Sequence, residues 1–231
     1  SSVETRPTVA GSLPGGLDDL IGRDAELLAL DQLLQGARLV SVVGVAGVGK
    51  TRLALAVASR RRQRYAEGAW LAELAPLPAG ATDAGALRVS LARALQISPV
   101  GIGDDAALVR ALAGRELLLV VDNAEHVIEP LTPLLAFLHA HLPQLHLLVT
   151  SREPLQIPAE RLMRLEPFAL AAADAESFAS SPAFLFFTDR IAARLPGFVP
   201  NAEQRQAMSR LCRALDGLPL AMELAAARVP V

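Results

Sequence analysis

Residues Gly44-Val45-Ala46-Gly47-Val48-Gly49-Lys50-Thr51 match the pattern G-x-x-x-x-G-K-[ST]. Glycines let a loop adopt unusual φ/ψ values and bring its backbone N–H groups close to phosphate oxygens. A helix starting beneath such a loop turns its positive end toward the same anion. The Lys50 ammonium, on a flexible stem, can reach β- and γ-phosphates, and the Thr51 hydroxyl can ligate Mg²⁺. Arg52 follows in the same turn, and we count it with residues 44–51 as nucleotide-contacting. The competing reading is a glycine-rich turn with an incidental lysine.

Two further stretches carry candidate chemistry. The apolar run Leu117-Leu118-Leu119-Val120-Val121 ends in Asp122. A buried strand with a terminal carboxylate can hold that acid near the water shell of Mg²⁺, although many strands end in Asp merely to start a turn. Downstream of a phosphate loop we assign Asp122, with Thr51, to the metal. Many ATPases place a second acid next, to polarise the attacking water, but here the position is Asn123, which cannot accept a proton. Glu125 and His126 stand close enough to substitute; alternatively Asn123 or Glu125 caps the next element. Thr150-Ser151-Arg152 closes another apolar run. Ligands of parallel sheets bind where the strands end, so Arg152 can reach a γ-phosphate. Taken alone it reads as a surface turn arginine.

Composition makes Lys50 conspicuous. It is the single lysine against 21 arginines, in a chain of 231 residues with 42 alanines. That bias reflects GC-rich coding and says little about function. The formal net charge of −2 gives no basic field, which argues against nucleic-acid binding by the chain as a whole. One cysteine, Cys212, allows no intrachain disulfide. No apolar run approaches the roughly 20 residues of a spanning helix, and residues 1–16 lack an apolar signal core. We expect a cytoplasmic protein without a membrane partner. The basic run Arg60, Arg61, Arg62 and Arg64 reads as a solvated face at a helix end rather than a nucleic-acid contact. His139 and His141 lack Cys or Asp partners for a metal site. Trp70 and Cys212 read as core residues.

These residues need a scaffold. Apolar runs at 38–43, 68–74, 116–121, 145–150 and 161–165 read as strands. Periodic stretches at 17–35 (starting near Arg23), 51–62, 84–96, 105–113 and 131–141 read as helices. Their alternation argues for βαβ units around a mainly parallel sheet, with both faces covered. After residue 170 the sequence AAADAESFASSP reads as a loop or short helix. Beyond it only helices are expected, at 182–195, 201–215 and 218–228, with Asn201 and Gln204 as a capping box. We therefore expect a linker at 1–16, an α/β nucleotide-binding domain at 17–172 and a small helical domain at 173–231.

In combination the motifs resemble the STAND class of P-loop ATPases, and within it the NB-ARC-like module of large bacterial transcriptional regulators. Ile21-Gly22-Arg23-Asp24 is similar to the family's opening motif, hhGRE, with Asp24 for Glu. VVDNAEHV is similar to the branch carrying DNxEH, where Asn123 is normal. VTSREPL resembles the sensor-1 strand, and Gly217-Leu218-Pro219-Leu220 the GxPL motif. The likeness runs from about Leu13 to Arg228. It implies a P-loop NTPase three-layer sandwich with a five-stranded sheet of order 5-1-4-3-2, followed by a helical lid. It implies Ile21 and Arg23 beside the adenine, Pro219 packing on the base from the lid, and Arg152 sensing the γ-phosphate.

The resemblance further implies a winged-helix domain and repeat domains downstream, and often a DNA-binding domain upstream. We accordingly expect a nucleotide-binding region of a longer protein. The expected cofactors are ATP or ADP with Mg²⁺. The expected function is a slow switch ATPase that controls domain arrangement and self-association in the ATP state, with DNA reached only through other domains. A nucleotide-binding scaffold with negligible hydrolysis is the alternative that Asn123 motivates. A metabolic kinase fits less well, because no separate acceptor-binding insertion is present.

Overall fold

The computed structural model describes residues 11–15, 20–74, 83–170 and 178–229. Apolar runs rich in Val and Leu form strands β1 (Leu39–Val43), β2 (Ala69–Glu73), β3 (Leu117–Asp122) and β4 (Leu145–Ser151), joined by the shorter β5 (Arg161–Arg164). They pair in the order β2-β3-β4-β1-β5, every pair parallel. This is the order the resemblance implied, in a sheet that is wholly rather than mainly parallel.

Every residue of β1 and β3 is buried, because helices cover both faces. Successive side chains of a strand point to opposite faces, and the core divides accordingly. Val40, Val42, Leu118, Val120 and Leu148 pack with α1 (Asp24–Gly36) and α2 (Lys50–Arg61). Leu117, Leu119, Val121, Leu147 and Val149 face α3 (Ala84–Ala94), α4 (Asp105–Leu112) and α5 (Ile128–His141). Trp70 belongs to this second cluster.

A third cluster joins α6 (Pro182–Ala192), α7 (Ala202–Ala214) and α8 (Pro219–Ala226) around Phe178, Phe187, Met208, Cys212 and Met222. Cys212 is buried and packs as a small hydrophobe, and that burial pushes its thiol up to about 12. Asn201 and Gln204 form both hydrogen bonds of the expected capping box. No helix among the described residues is long and apolar enough to cross a membrane.

Several expectations need correction. Helix α5 begins at Ile128, three residues before the expected start; Pro130 falls in its first turn, where no N–H is required. Strands β3 and β4 each extend one residue further, so that Asp122 and Ser151 are strand residues. Of the basic run, Arg61 is buried, not solvated: its guanidinium donates to Asp31 Oδ1 at 2.8 Å and to Asp31 O at 3.0 Å. In the stretch expected as a linker, Gly11 bridges Ala69, Ser12 N donates to Ala69 O at 3.2 Å, and Ser12 Oγ accepts from Leu71 N. Residues 11 and 12 thus cover the free edge of β2. The remaining expectations for residues 1–10, 16–19 and 171–177 lie outside the described residues.

Candidate functional site

The phosphate-type loop occupies the bend between β1 and α2. Gly44 N donates to Ser151 O at 3.3 Å, tying the start of the loop to the end of β4. Gly47 and Gly49 have φ of +77° and +101°, a left-handed backbone that favours glycine. Gly49 is the N-cap of α2, and no side chain caps that helix. Its first N–H groups are therefore left for a ligand, with the helix dipole behind them. Lys50 Nζ donates to Gly44 O at 2.8 Å and Val45 O at 3.1 Å, so the ammonium lies folded over the loop. Burial lowers its pKa, Glu125 and Asp122 act to raise it, and Arg152 acts to lower it further.

Beside the loop, Asp122 Oδ1 accepts from Thr51 Oγ1 at 2.7 Å and from Thr150 Oγ1 at 2.6 Å. Thr150 Oγ1 in turn accepts from Asn123 N at 3.0 Å. Three elements, α2, β3 and β4, thus converge on one carboxylate. The Thr51 hydroxyl and the Asp122 carboxylate form a pair of hard oxygens at the start of α2. This donor set suits Mg²⁺, which takes one or two protein oxygens and completes its shell with phosphate and water.

The turn after β3 separates the two candidate bases. Asn123 has φ of +61°, and residues Ala124–His126 make one 3₁₀ turn. His126 lies 2.8 Å by Nε2 from Leu74 O, a contact in which the ring nitrogen donates, and 3.4 Å by Nδ1 from Asn123 Nδ2. Both ring nitrogens are occupied, and His126 ties the turn to the end of β2. Glu125 turns toward the cavity: Oε1 accepts from Arg152 Nε at 3.1 Å, while Oε2 is buried with no hydrogen-bond partner. Between the two, only Glu125 retains a free acceptor beside the loop.

A cavity of about 300 Å³ opens above these groups. Residues 46–49 with Lys50, Thr51 and Arg52 line it, together with the polar Asn123, Glu125, Thr150, Arg152, Arg190 and Glu223 and the apolar Leu20, Ile21, Leu165, Phe168, Phe186 and Pro219. Of the expected residues, Gly44, Val45 and Asp122 stand behind this lining: the first two accept from Lys50, the third from Thr51. Arg23 lines the cavity, but its guanidinium is already engaged. It pairs with Glu26, donates to Glu166 O at 2.8 Å and Val48 O at 3.4 Å, and stacks 4.2 Å from the Phe168 centroid.

The third cluster closes the roof. Leu220 N donates to Gly47 O at 3.1 Å, and a Cβ on Gly47 would stand 3.0 Å from that of Leu220. Phe168 N donates to Gly217 O at 3.0 Å; Gly217 has φ of +64°, and a Cβ there would meet Phe168 O at 2.4 Å. The GLPL segment therefore sits directly on the phosphate-type loop. Sequence reading omitted Thr150, Phe168 and Phe186 from the site. Thr150 could have been found as the polar residue one before the end of β4, a buried strand next to β3. The two phenylalanines have no local signal, since only the fold brings them together, 5.3 Å apart by centroid.

No family model matches the chain. It is 34% identical over 214 residues to an uncharacterized protein of Mycobacterium tuberculosis, covering 92% of this chain and 51% of that protein. It is 36% identical over 198 residues to a protein of the same organism provisionally described as an HTH-type transcriptional regulator, covering 85% of this chain and 21% of the other. The chain thus spans about half the length of the first of these curated relatives and about a fifth of the second. Among solved structures it resembles a Walker-type ATPase of Pyrococcus abyssi, with TM-score 0.62 at 18% identity, covering 96% of this chain and 69% of that one. It also resembles a STAND protein with a tetratricopeptide-repeat sensor from Pyrococcus horikoshii, with TM-score 0.60 at 16% identity, covering 98% and 32%. Sheet order, loop and these likenesses define the P-loop NTPase fold.

Proposed function

We propose that this chain is the nucleotide-binding switch of a larger regulatory protein, of the STAND, NB-ARC-like type. The observation that carries the reading is the convergence of Lys50, Thr51 and Asp122 under a cavity roofed by the GLPL segment. In this reading residues 17–172 form the nucleotide-binding domain and 173–231 the lid. ATP or ADP is held by residues 44–52, with its base toward Ile21, Arg23 and Pro219. Thr51 and Asp122 hold Mg²⁺, which when bound neutralises charge on the β- and γ-phosphates. Lys50 leaves the Gly44 and Val45 carbonyls for phosphate oxygens. Glu125 accepts the proton of the attacking water, Arg152 contacts the γ-phosphate, and hydrolysis is slow.

Nucleotide state acts only through contacts that differ between states. The Gly47–Leu220 and Phe168–Gly217 hydrogen bonds are where loop occupancy reaches the lid. The relative described as a transcriptional regulator supports a regulatory setting; in our reading that setting is the cytoplasm, DNA is bound by other parts of the longer protein, and the ATP state self-associates. A second reading, a scaffold that holds nucleotide without hydrolysing it, is favoured by Asn123 and by the pairing of Glu125 with Arg152.

The test is to denature the purified protein, identify any released nucleotide, and follow single-turnover cleavage of Mg·ATP. The switch reading expects ADP or ATP to bind and slow cleavage to be lost in Glu125→Gln. Binding without cleavage selects the scaffold, and absence of binding rejects both.

A further inference from the structure

The helical region gives two charged side chains to the lining of the cavity, Arg190 of α6 and Glu223 of α8. Each stands four residues along its helix from an apolar residue of the same lining, Arg190 after Phe186 and Glu223 after Pro219. Residues four apart share a helix face, so each helix offers the cavity an apolar group and, one turn on, a charge. Arg190 lies 5.5 Å from the Phe186 centroid, within cation–π range. Its Nη2 donates to Asp189 Oδ2 at 2.5 Å, and its Nη1 stands 3.9 Å from Glu223 Oε1. The second distance is too long for a hydrogen bond. The Glu223 carboxylate is thus held beside a cation while keeping capacity to accept. Arg190 Nε is buried without a partner, and such an atom in a native fold calls for an explanation.

Phe168, Phe186 and Pro219, in the same lining, suit the flat apolar face of a nucleobase. Between base and phosphates a nucleotide carries its sugar, whose hydroxyls both donate and accept, whereas an ionised carboxylate only accepts. In dinucleotide-binding folds an acidic side chain takes the ribose 2′-hydroxyl in this way. We propose that Glu223 accepts a hydrogen bond from the ribose 2′-hydroxyl of the bound nucleotide and that Arg190 positions it, so that the site selects ribonucleotides over 2′-deoxyribonucleotides. This inference rests on the nucleotide-switch reading of the site and adds the selection of its ligand. Arg190, fixed by Asp189 and the Phe186 ring, keeps the carboxylate at the cavity wall. The sugar is the same in ADP and ATP, so this contact shifts no balance between the two states. It ties the helical region to an occupied site whichever of the two is bound.

Isothermal titration of the full chain with ADP and with 2′-deoxy-ADP, both with Mg²⁺, reads the selection. The wild type is expected to bind ADP about 5- to 10-fold more tightly, the scale of one hydrogen bond to a charged group. Glu223→Ala should weaken ADP to the level of 2′-deoxy-ADP and leave 2′-deoxy-ADP unchanged, with the same loss for a non-hydrolysable ATP analogue as for ADP. Arg190→Ala should shrink the ratio, and Arg190→Lys, which keeps a cation beside Glu223, should recover it. Glu203→Ala removes an exposed carboxylate of α7 outside the cavity lining and should keep the wild-type ratio. Equal wild-type affinity for ADP and 2′-deoxy-ADP, a preference that survives Glu223→Ala, or a loss in that variant shared by both ligands would overturn the contact with the sugar while leaving the nucleotide site standing. A wild-type chain that binds neither ligand would remove the site and the selection together.

Discussion

Where the strands begin, Arg38 donates to His139 O and Leu142 O, Arg61 to Asp31 and Leu34 O, and the Tyr65 ring packs edge-on against His146 at 5.0 Å. Where the strands end, Thr51, Asp122 and Thr150 bond one another beside a cavity, and Glu125 keeps a buried oxygen unpaired. Both edges bring polar side chains against the same apolar sheet. At the first edge the guanidinium groups bond helix carbonyls and one carboxylate, so that they act as ties, and the unpartnered Arg61 Nε, Tyr65 Oη and His146 Nδ1 are enclosed by packing rather than set beside the cavity. At the second the groups come from separate elements and leave capacity for a ligand. The difference separates polar residues that stabilise from polar residues held ready, and it can be tested at each edge.

The largest effect is expected from Asp122→Ala, which removes the acceptor shared by Thr51 and Thr150. Magnesium-dependent turnover should fall on the order of 100-fold in a single-turnover assay. Thr150→Val keeps the shape but deletes one donor to Asp122 and the acceptor of Asn123 N–H. Turnover should fall about 10-fold, with a stability loss of about 1–3 kcal/mol by denaturant titration. At the opposite edge, Asp31→Ala leaves the buried Arg61 guanidinium without its carboxylate and should cost about 1–2 kcal/mol. Turnover should not change in that variant; a fall matching that of Thr150→Val would break the distinction between the edges.

How much of this was legible in the sequence follows the range of the interactions. The loop at 44–51, the strand before Asp122 and the Asn201–Gln204 cap are local patterns, and the structure places them on the elements they required. The bond from Thr150 to Asp122 joins residues 28 apart, and no local pattern marks it. Arg61 read as solvated because it stands among three other basic residues; only the fold reveals that its turn of α2 faces Asp31. Arg23 lines the cavity, and its guanidinium also donates to Glu26 and to the Glu166 carbonyl, acceptors that no local pattern marks. The roof contacts of Gly47 and Gly217 likewise depend on how two separate regions meet.

The smallest effect concerns pH. Burial, with Arg38 and Arg61 nearby, holds His146 below the ordinary histidine value of 6.5, and burial with Arg38 does the same for His139. The unfolded chain therefore takes up these protons first as pH falls. The stability they contribute is complete above pH 6.5 and declines below it, until the folded values are passed. Tm should drop by a few degrees between about pH 7.5 and about pH 5.5, and His146→Gln should flatten part of that slope. An unchanged slope would mean that the start edge is less closed than its contacts indicate.

The central claim, that the end edge is a nucleotide site built around one ammonium, is tested most directly by Lys50→Arg. Lys50 is the chain's single lysine, and the substitution preserves its charge. A planar guanidinium does not reproduce a compact ammonium folded into a ring of backbone groups. Isothermal titration with ADP and Mg²⁺ should show binding to the wild type and at least about a 10-fold loss in Lys50→Arg, with Tm of the free protein little changed. Equal affinity in the two proteins would contradict the account.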